Sequence, residues 1–363
     1  MRVIITGGGT GGHLYPALAI AEHLEKENGW DVHFVGTTHG LEAKVVPLKG
    51  YPFHTVWIAG LQRGRIIKNL LFPLKMGISF FQACVLLMKM KPGFVVGTGG
   101  YVSWPVLAAA TFLRIPAAIQ EQNQAPGLVT RLFASKVEHV YLSFESSKAF
   151  FRNQKVLRYT GNPTRDELDE GTRDEGITHF GLDKNKTTLF VFGGSQGSKI
   201  INETMVQLLP DLMVIDQLQI LWGTGPRWLD SIAASVKPFK DRVHVLPYID
   251  AMNLAYRACD FVVCRSGATT VAEITRIGLP AIFIPFHAAA GGHQEENARA
   301  LKESGAARMI LEAELKTDVL KETIIDMANH PEKREAMCIL AKKYGRPEAA
   351  RIICDYLTER VGQ

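Results

Sequence analysis

The chain has 363 residues, of which 47% are hydrophobic and 21% are charged, and its formal net charge is +5. This length predicts two domains of about 150 to 200 residues each, and the composition excludes a chain that is disordered throughout. The five cysteines include no Cys-x-x-Cys pair, which argues against a disulfide framework or a structural zinc site and favours a reducing compartment.

Positive charge is concentrated in one part of the chain. Residues 43–120 contain no Asp or Glu and nine Lys or Arg, which leaves a net charge of −4 for all other residues together. Such asymmetry predicts an anionic partner, such as membrane lipid, phosphate or nucleic acid, although a solvated basic surface would have the same composition. No nucleic-acid-binding motif accompanies the charge, so we do not expect nucleic acid as the partner.

Hydropathy predicts neither a signal peptide nor a membrane span. Residues 1–6 lead directly into glycines and leave no room for the apolar core of a signal peptide. The longest uncharged apolar window, residues 76–88, has 13 residues, whereas a spanning helix needs roughly 20.

Short β-branched runs alternate with helical patterns in two consecutive series. The predicted strands are residues 3–6, 31–35, 94–96, 117–119 and 139–142 in the first series, and 188–192, 218–221, 243–246, 261–264 and 281–284 in the second. This alternation predicts parallel sheets with helices on both faces. Between the series, residues 160–165 and the charged segment 166–176 have the composition of a hinge. The sequence therefore predicts two similarly built α/β domains with a cleft between them.

A glycine-rich loop, residues 7–12, follows the first predicted strand and precedes a helix predicted over 14–27. Glycines let the backbone approach a phosphate closely, and a helix N-terminus offers unpaired N–H donors. A dinucleotide site also uses an acidic residue at the end of the second strand to bind ribose, but that strand ends in Gly36-Thr37-Thr38, which disfavours NAD. No Gly-Lys-Ser/Thr ending follows, which excludes an NTPase P-loop more firmly.

A second glycine turn, residues 97–101, follows another strand of the same predicted sheet. Two such turns side by side suggest a pyrophosphate site, although either turn alone could simply be a tight connection between strand and helix. The residues assigned to this site are Gly9, Thr10, Gly99, Gly100 and Tyr101.

The second domain repeats the arrangement. Residues 193–198 follow a strand, and residues 265–270 begin a helix for which Ser266 is a predicted N-cap, so a phosphate is expected at this helix end. Glu273, two turns further on, could accept hydrogen bonds from both hydroxyls of a ribose, or could be a solvated helix carboxylate. No Asp-x-Asp and no metal-ligand spacing of histidines occurs, so we expect no metal and no cofactor. Backbone N–H groups, a helix terminus and Arg165 would then stabilise a leaving diphosphate.

In this order, residues 8–13, 97–103, 121–123, 161–165, 193–197 and 265–268, together with Glu273, closely resemble bacterial peptidoglycan glycosyltransferases, which transfer N-acetylglucosamine (GlcNAc) from UDP-GlcNAc to lipid-linked muramoyl-pentapeptide. The match extends from residue 1 to about 305. It implies the GT-B fold, with two Rossmann-like, doubly wound parallel-sheet domains facing a cleft. The acceptor- and membrane-associating domain would be residues 1–160, and the UDP-GlcNAc-binding domain residues 161–340. A C-terminal helix at about 341–363 would pack back onto the first domain.

The resemblance also implies a reaction. The 4-hydroxyl of the muramoyl sugar displaces UDP with inversion and without metal, so a base must take its proton. His13 is the predicted base and Glu121 the alternative, although His13 could instead only position the pyrophosphate or the donor.

Residues of both domains are implied as donor contacts, and Ile249 among them could offer backbone groups to uracil or simply belong to the core. The donor contacts are Thr10, Gly11, Gly12, Asn123, Arg165, Ser195, Ile249, Ala268, Thr269, Thr270, Val271, Ala272, Glu273 and Gln294. Three residues depart from the family pattern. Trp104 and Gln120 could alter how the acceptor fits, and His293 could alter how the hydroxyls of GlcNAc are recognised.

Residues 66–90 are too apolar for all of them to be buried in one helix face. Pro73 and Gly77 are predicted to break the segment near its middle. The part before the break is apolar and flanked by Lys and Arg, and it is predicted to dock on anionic lipid at the cytoplasmic side of the cell membrane. The docking residues are Arg63, Arg65, Lys68, Leu70, Leu71, Phe72 and Lys75. Packing against the rest of the domain or a partner subunit is the alternative, and residues 78–88 are predicted to be core.

Other functions remain open at this point. A soluble GT-B relative, such as a UDP-GlcNAc epimerase or a small-molecule glycosyltransferase, would need no basic, apolar surface. A non-catalytic UDP-sugar-binding regulator would keep Ser195 and Glu273 but could dispense with the glycine turns of the first domain. Other cell-wall synthesis proteins are further expected partners if the enzyme contributes to cell shape and division.

Overall fold

The computed structural model describes residues 1–60, 71–289 and 292–361, and the chain forms two compact units. Unit 1 comprises Met1–Arg165 and Arg346–Gln363, and unit 2 comprises Asp166–Gly345. The division therefore falls after residue 165, where the sequence placed it after 160. The chain returns to unit 1 at residue 346, where the sequence placed the returning helix from about 341.

A seven-stranded parallel sheet lies at the centre of unit 1, in the order β3-β2-β1-β4-β5-β6-β7. Its strands are β1 (Arg2–Gly7), β2 (Asp31–Gly36), β3 (Phe53–Thr55), β4 (Phe94–Gly99), β5 (Ala117–Glu121), β6 (His139–Leu142) and β7 (Leu157–Tyr159). Side chains alternate between the two faces, so Ile4 enters one core while Val3 and Ile5 enter the other. All five predicted strands are confirmed. The two edge strands, β3 and β7, have three residues each and were not predicted.

Helices cover both faces of this sheet. They are α1 (Gly11–Asn28), α2 (Glu42–Leu48), α3 (Phe72–Met90), α4 (Ser103–Phe112), α5 (Leu128–Phe133) and, from the end of the chain, α14 (Ala349–Val361). The last helix packs on α1 and buries Ile353, Cys354 and Leu357 in the core of unit 1.

The helix α3 differs from its prediction in three ways. Pro73 stands in the first turn, where a missing N–H costs nothing, and Gly77 lies inside a continuous helix, so the predicted break is wrong. The predicted core at residues 78–88 is correct only for the face that carries Ala83, Cys84 and Leu87. Among the described residues, α3 alone is long and apolar enough to cross a membrane. The uncharged window of the sequence analysis was shorter than these 19 residues because it stopped at Lys75 and Lys89, which α3 includes.

Unit 2 is built on a six-stranded parallel sheet in the order β10-β9-β8-β11-β12-β13. The strands are β8 (Thr187–Phe192), β9 (Leu218–Gly223), β10 (Val243–Leu246), β11 (Phe261–Cys264), β12 (Ala281–Phe283) and β13 (Arg308–Met309). The helices are α6 (Arg173–Phe180), α7 (Lys199–Leu212), α8 (Leu229–Val236), α9 (Met252–Ala258), α10 (Ala268–Ile277), α11 (His293–Glu303), α12 (Thr317–Asn329) and α13 (Pro331–Lys342). The predicted α/β fold with two parallel sheets is confirmed.

The charged segment predicted as a hinge is partly ordered structure of unit 2. Thr172 caps α6 in a capping box with Glu175, which explains how a polar segment begins a helix. Arg276 pairs with Asp166 at 3.3 Å and with Asp169 at 2.5 Å. Residues 166–176 are therefore tied to unit 2 by a helix start and by ion pairs, which corrects the hinge assignment for this part.

Candidate active site

The two glycine turns of unit 1 lie against each other at the carboxyl edge of the sheet. Strands β1 and β4 are neighbours, and successive strands run outward from them in opposite directions, which is where open α/β sheets bind ligands. A Cβ added to Gly100 would lie 2.6 Å from the Gly8 carbonyl oxygen, and Gly9, Gly99 and Gly100 all have positive φ. The predicted adjacency of the two turns is confirmed, and both need glycine.

His13 lies in the first turn of α1 and is anchored through one ring nitrogen. Its Nδ1 is 3.0 Å from the Thr98 carbonyl oxygen and 2.8 Å from Oε1 of Gln122. Both partners accept hydrogen bonds, so Nδ1 carries the proton and Nε2 carries the lone pair. This tautomer suits a general base that works through Nε2.

The side-chain amide of Gln122 is oriented by the groups around it. Its Nε2 donates to the carbonyl oxygens of Thr98 at 2.7 Å and Gln120 at 3.0 Å, so Oε1 must face His13. It also donates to the side-chain oxygen of Gln120, whose own amide donates to Ser143 at 3.0 Å and Asn162 at 3.1 Å. Gln120, one of the departures from the family pattern, is thus a buried brace for the His13 site.

Glu121, the alternative base, is buried and fully engaged. Its Oε1 accepts from the Asn123 N–H at 3.0 Å, while Oε2 accepts from the Gly127 N–H at 3.0 Å and the Thr130 hydroxyl at 2.5 Å. These bonds hold the loop before α5, and both carboxylate oxygens are already occupied by donors of the protein itself. The geometry therefore favours His13 over Glu121.

A residue that sequence reasoning missed, Glu42, lies behind the first glycine turn. The Gly9 N–H donates to its Oε2 at 2.9 Å, so this N–H is already engaged within the protein. Of the other unit 1 residues assigned to the site, Thr10 is the N-cap of α1, and Arg165 stacks its guanidinium over the Tyr15 ring at 4.7 Å. Tyr101 lies beside Gly9, where an added Cβ would meet its ring at 3.2 Å.

Unit 2 has its own glycine loop, with Ser195 exposed at the tip and positive φ at Gly194 and Gly197. A cavity of about 510 Å³ adjoins this loop and is lined by Gly193, Ser198, Arg265, Phe286, Gln294 and Glu312, among others. The predicted donor residues Ser195 and Gln294 therefore belong to one region of unit 2.

Arg265 is the central cation of this region. It reaches Glu312 at 2.5 Å and the Ser198 hydroxyl at 2.8 Å, and it also lies over the Phe286 ring. Burial opposes ionisation of Glu312, but hydrogen bonds from His287 and Arg265 outweigh it and hold the pKa of Glu312 below its usual value. The charged pair therefore persists at neutral pH and fixes the end of the glycine loop at α7.

The helix α10 begins differently from the prediction. Its N-cap is Gly267, and Ser266 instead donates its hydroxyl to the Gln294 carbonyl oxygen at 2.7 Å, so the predicted Ser266 cap is wrong. Gln294 Oε1 in turn accepts from the Phe286 N–H at 3.0 Å. These bonds tie the start of α10 to the loop before α11, in which residues 290 and 291 lie outside the described chain.

Glu273, the predicted ribose ligand, is a buried carboxylate on α10 rather than a solvated one. The Tyr256 hydroxyl donates to its Oε2 at 3.0 Å. Ile249 is also buried and packs within the same core as Tyr256, so only its backbone remains for a ligand. Within residues 1–60, 71–289 and 292–361, no group of three or more His, Cys, Asp or Glu side chains is arranged to hold a metal ion.

Comparison with known proteins gives a family match in each of the two units. The glycosyltransferase family 28 N-terminal domain matches residues 3–142, and the family 28 C-terminal domain matches residues 188–351. A protein of Halothermothrix orenii named UDP-N-acetylglucosamine--N-acetylmuramyl-(pentapeptide) pyrophosphoryl-undecaprenol N-acetylglucosamine transferase is 40% identical over 367 residues, which cover 99% of each chain. A protein of the same name from Ruminiclostridium cellulolyticum is 41% identical over 331 residues, covering 90% of this chain and 91% of its own.

Solved structures share the fold. The crystal structure of Acinetobacter baumannii MurG has a TM-score of 0.78 and 27% identity, covering 99% of each chain. A Staphylococcus aureus MnaA–UDP structure has a TM-score of 0.73 at 12% identity, covers 100% of this chain and 97% of its own, and shows the fold alone. The chain belongs to glycosyltransferase family 28, and within it to the family of these N-acetylglucosamine transferases.

Proposed function

We propose that this protein transfers N-acetylglucosamine from UDP-GlcNAc to the 4-hydroxyl of undecaprenyl-pyrophosphoryl-MurNAc-pentapeptide in peptidoglycan synthesis. The observation that carries this proposal is 40% identity over 99% of both chains to a relative named for that transfer. The two abutting glycine turns of unit 1 and the Glu273 and Arg265 region of unit 2 supply the separate acceptor and donor sites that such a transfer needs.

The proposed chemistry is a single displacement with inversion. The acceptor 4-hydroxyl oxygen forms a bond to the sugar C1 as the bond from C1 to the UDP oxygen breaks, and Nε2 of His13 takes the hydroxyl proton. The Thr98 carbonyl and Gln122 stabilise the imidazolium that results, because both accept from Nδ1–H. In unit 2, backbone N–H groups at the start of α10 and the glycine loop stabilise the leaving diphosphate.

A direct assay tests the proposal. Purified protein is incubated with radiolabelled UDP-GlcNAc and the lipid-linked muramoyl-pentapeptide, and label is counted in the lipid-soluble fraction. Label above a no-enzyme blank is expected. In parallel, UDP-GlcNAc alone is examined for epimerisation, since the same fold also serves a solved UDP-GlcNAc 2-epimerase. Epimerisation without transfer to lipid would replace the proposal.

Activity should survive excess EDTA. The described chain offers no cluster of metal ligands, and backbone N–H groups, a helix terminus and a cation such as Arg165 can stabilise a leaving diphosphate without magnesium. Initial rates measured with and without EDTA should agree within about twofold. A rate that collapses in EDTA and returns with added magnesium would overturn the metal-independent mechanism.

We also propose that unit 1 docks peripherally on the cytoplasmic face of the cell membrane through α3. Leu74, Ile78, Phe81, Val85 and Met88 are exposed on α3 and spaced three or four residues apart, which places them along one helix face. Phe112 on α4 is 70% exposed, and its ring contacts Phe80 of α3, so the apolar surface continues there. We call these six exposed side chains the apolar face.

An anionic bilayer is the partner that suits this face. Lys75 and Lys89 lie on α3 itself, and the surrounding sequence from 43 to 120 has no acidic residue. Binding of such a face to a bilayer is stabilised by burial of the apolar side chains among the lipid acyl chains. Each Lys or Arg near an anionic lipid surface contributes about 1 kcal/mol more. Of the predicted docking residues, Leu71 is exposed and Phe72 and Lys75 are partly buried, while Arg63, Arg65, Lys68 and Leu70 lie outside the described residues.

The variant Phe81→Ser with Val85→Ser should weaken sedimentation with vesicles of anionic phospholipid by at least about tenfold, because each apolar side chain contributes about 1.5 to 3 kcal/mol when fully buried. High salt should weaken binding of the unmodified protein. Val214→Ser, at an 80% exposed apolar position of unit 2, is the matched control and should bind normally. Equal binding to neutral and anionic vesicles, or undiminished binding by the double variant, would refute the docking surface.

A further inference from the structure

Glu42 is a carboxylate buried to 1% exposure directly behind the glycine turn that follows β1. Its Oε2 accepts from the Gly9 N–H at 2.9 Å. Its Oε1 accepts from the Thr37 N–H at 3.1 Å and the Thr37 hydroxyl at 2.8 Å. The side chain therefore connects the loop after β2 to the loop after β1.

The space around this carboxylate is kept open by glycines. A Cβ added to Gly8 would lie 2.4 Å from the Glu42 Cδ, and one added to Gly40 would lie 2.1 Å from both carboxylate oxygens. A Cβ added to Gly36 would lie 2.5 Å from the Glu42 Cγ. Three glycines, at the end of β2 and in the loops after β1 and β2, thus leave the space that this one acidic side chain occupies.

The charge of Glu42 cannot by itself assist a phosphate-binding loop. A carboxylate close to a bound diphosphate repels it, and the low dielectric of a buried site strengthens the repulsion. The benefit must therefore come from geometry. By accepting the Gly9 N–H, Glu42 fixes Gly9 at φ +82° and so sets the direction in which the chain enters α1.

We propose that Glu42 is a positioning residue for the lipid acceptor: it holds the glycine turn of residues 8–10 so that the start of α1 presents its N–H groups to the acceptor pyrophosphate. Gly9 then contributes its backbone conformation and not a hydrogen bond to the ligand. This inference rests on the proposed function and assigns Glu42 to the turn that is predicted to bind the acceptor pyrophosphate.

The test compares Glu42→Gln with Thr37→Val. Either orientation of the glutamine amide turns its NH₂ toward one of the N–H donors, whereas Thr37→Val removes one bond to the same carboxylate and leaves the Gly9 bond in place. We expect Glu42→Gln to lower kcat/KM for the acceptor about 5- to 30-fold through a higher acceptor KM, since an unsatisfied buried donor is costly. UDP binding measured by calorimetry should not change, and Thr37→Val should keep near-normal acceptor kinetics.

Gly40→Ala is the second variant, in case Glu42→Gln does not fold. It keeps the charge and displaces the carboxylate from a position outside the proposed site, so it should raise the acceptor KM in the same direction. Hydrogen exchange of the peptide spanning residues 7–14 is a readout independent of activity. Exchange should accelerate in Glu42→Gln and Gly40→Ala but not in Thr37→Val, even if the chain catalysed another reaction.

Two results would overturn the positioning role. One is an acceptor KM and a loop exchange rate that are the same in Glu42→Gln, Gly40→Ala and the unmodified protein. The other is an equal loss of acceptor kinetics in Thr37→Val, which would reduce Glu42 to a contributor to general stability. Failure of the unmodified protein to transfer GlcNAc would reject the proposed function, while the exchange comparison would still decide whether Glu42 holds the turn.

Discussion

Replacing His13 with alanine should lower kcat by about 10² to 10⁴, the usual contribution of a general base. The expectation rests on the tautomer, since Nδ1 faces two acceptors and Nε2 is left to receive the proton. Donor affinity should change far less, because the nucleotide contacts assigned to unit 2 are untouched. Steady-state kinetics with both substrates varied would measure the two effects separately.

The matched control for this change is His23→Ala, which removes another histidine from α1 away from the glycine turns. It should retain near-normal kcat. If His13→Ala lost less than about tenfold in kcat, the base would have to be another group, and Glu121 would be a poor replacement because both of its oxygens already accept hydrogen bonds.

Glu273→Ala should weaken UDP binding about 10- to 150-fold, since losing a hydrogen bond to a charged group costs about 1.5 to 3 kcal/mol. The carboxylate is already buried and held by the Tyr256 hydroxyl, so it needs little reordering to accept from the ribose. Calorimetry with UDP measures the loss directly.

Tyr256→Phe separates orientation from contact at the same site. It removes the hydroxyl that donates to Glu273 and keeps the carboxylate, so its effect on UDP affinity should be smaller than that of Glu273→Ala. Unchanged UDP affinity in Glu273→Ala, with normal thermal unfolding, would reject the ribose assignment.

The parts of the fold that follow from local pattern were predictable. Strands such as β1 and β8 are buried on both faces and are therefore continuous runs of β-branched or aromatic residues. Such runs can be recognised in the sequence without knowledge of the tertiary structure. The two glycine turns of unit 1 were also predictable, because each directly follows one of these strands. Edge strands β3 and β7 are too short to show a period.

The side chains that organise the site were harder to predict because their partners come from distant parts of the chain. Glu42 looks like an ordinary helix-start carboxylate in sequence, and only the packing of two loops shows that it binds Gly9. Gln122 belongs to the motif of residues 121–123, yet its role depends on the Thr98 carbonyl and on Gln120. The α3 segment misled for another reason, since it is apolar on its buried and exposed faces alike.

The return of the chain to unit 1 has a consequence for the order in which the protein folds as it is made. Unit 2 is an insertion between residues 165 and 346, so all of its strands have been synthesised before α14 exists. Unit 1, although it starts first, lacks Ile353, Cys354 and Leu357 until α14 has been synthesised, and until then its apolar surface beside α1 is uncovered. Domains usually mature from the N-terminus during synthesis, whereas here unit 1 can be completed only after unit 2 has been synthesised.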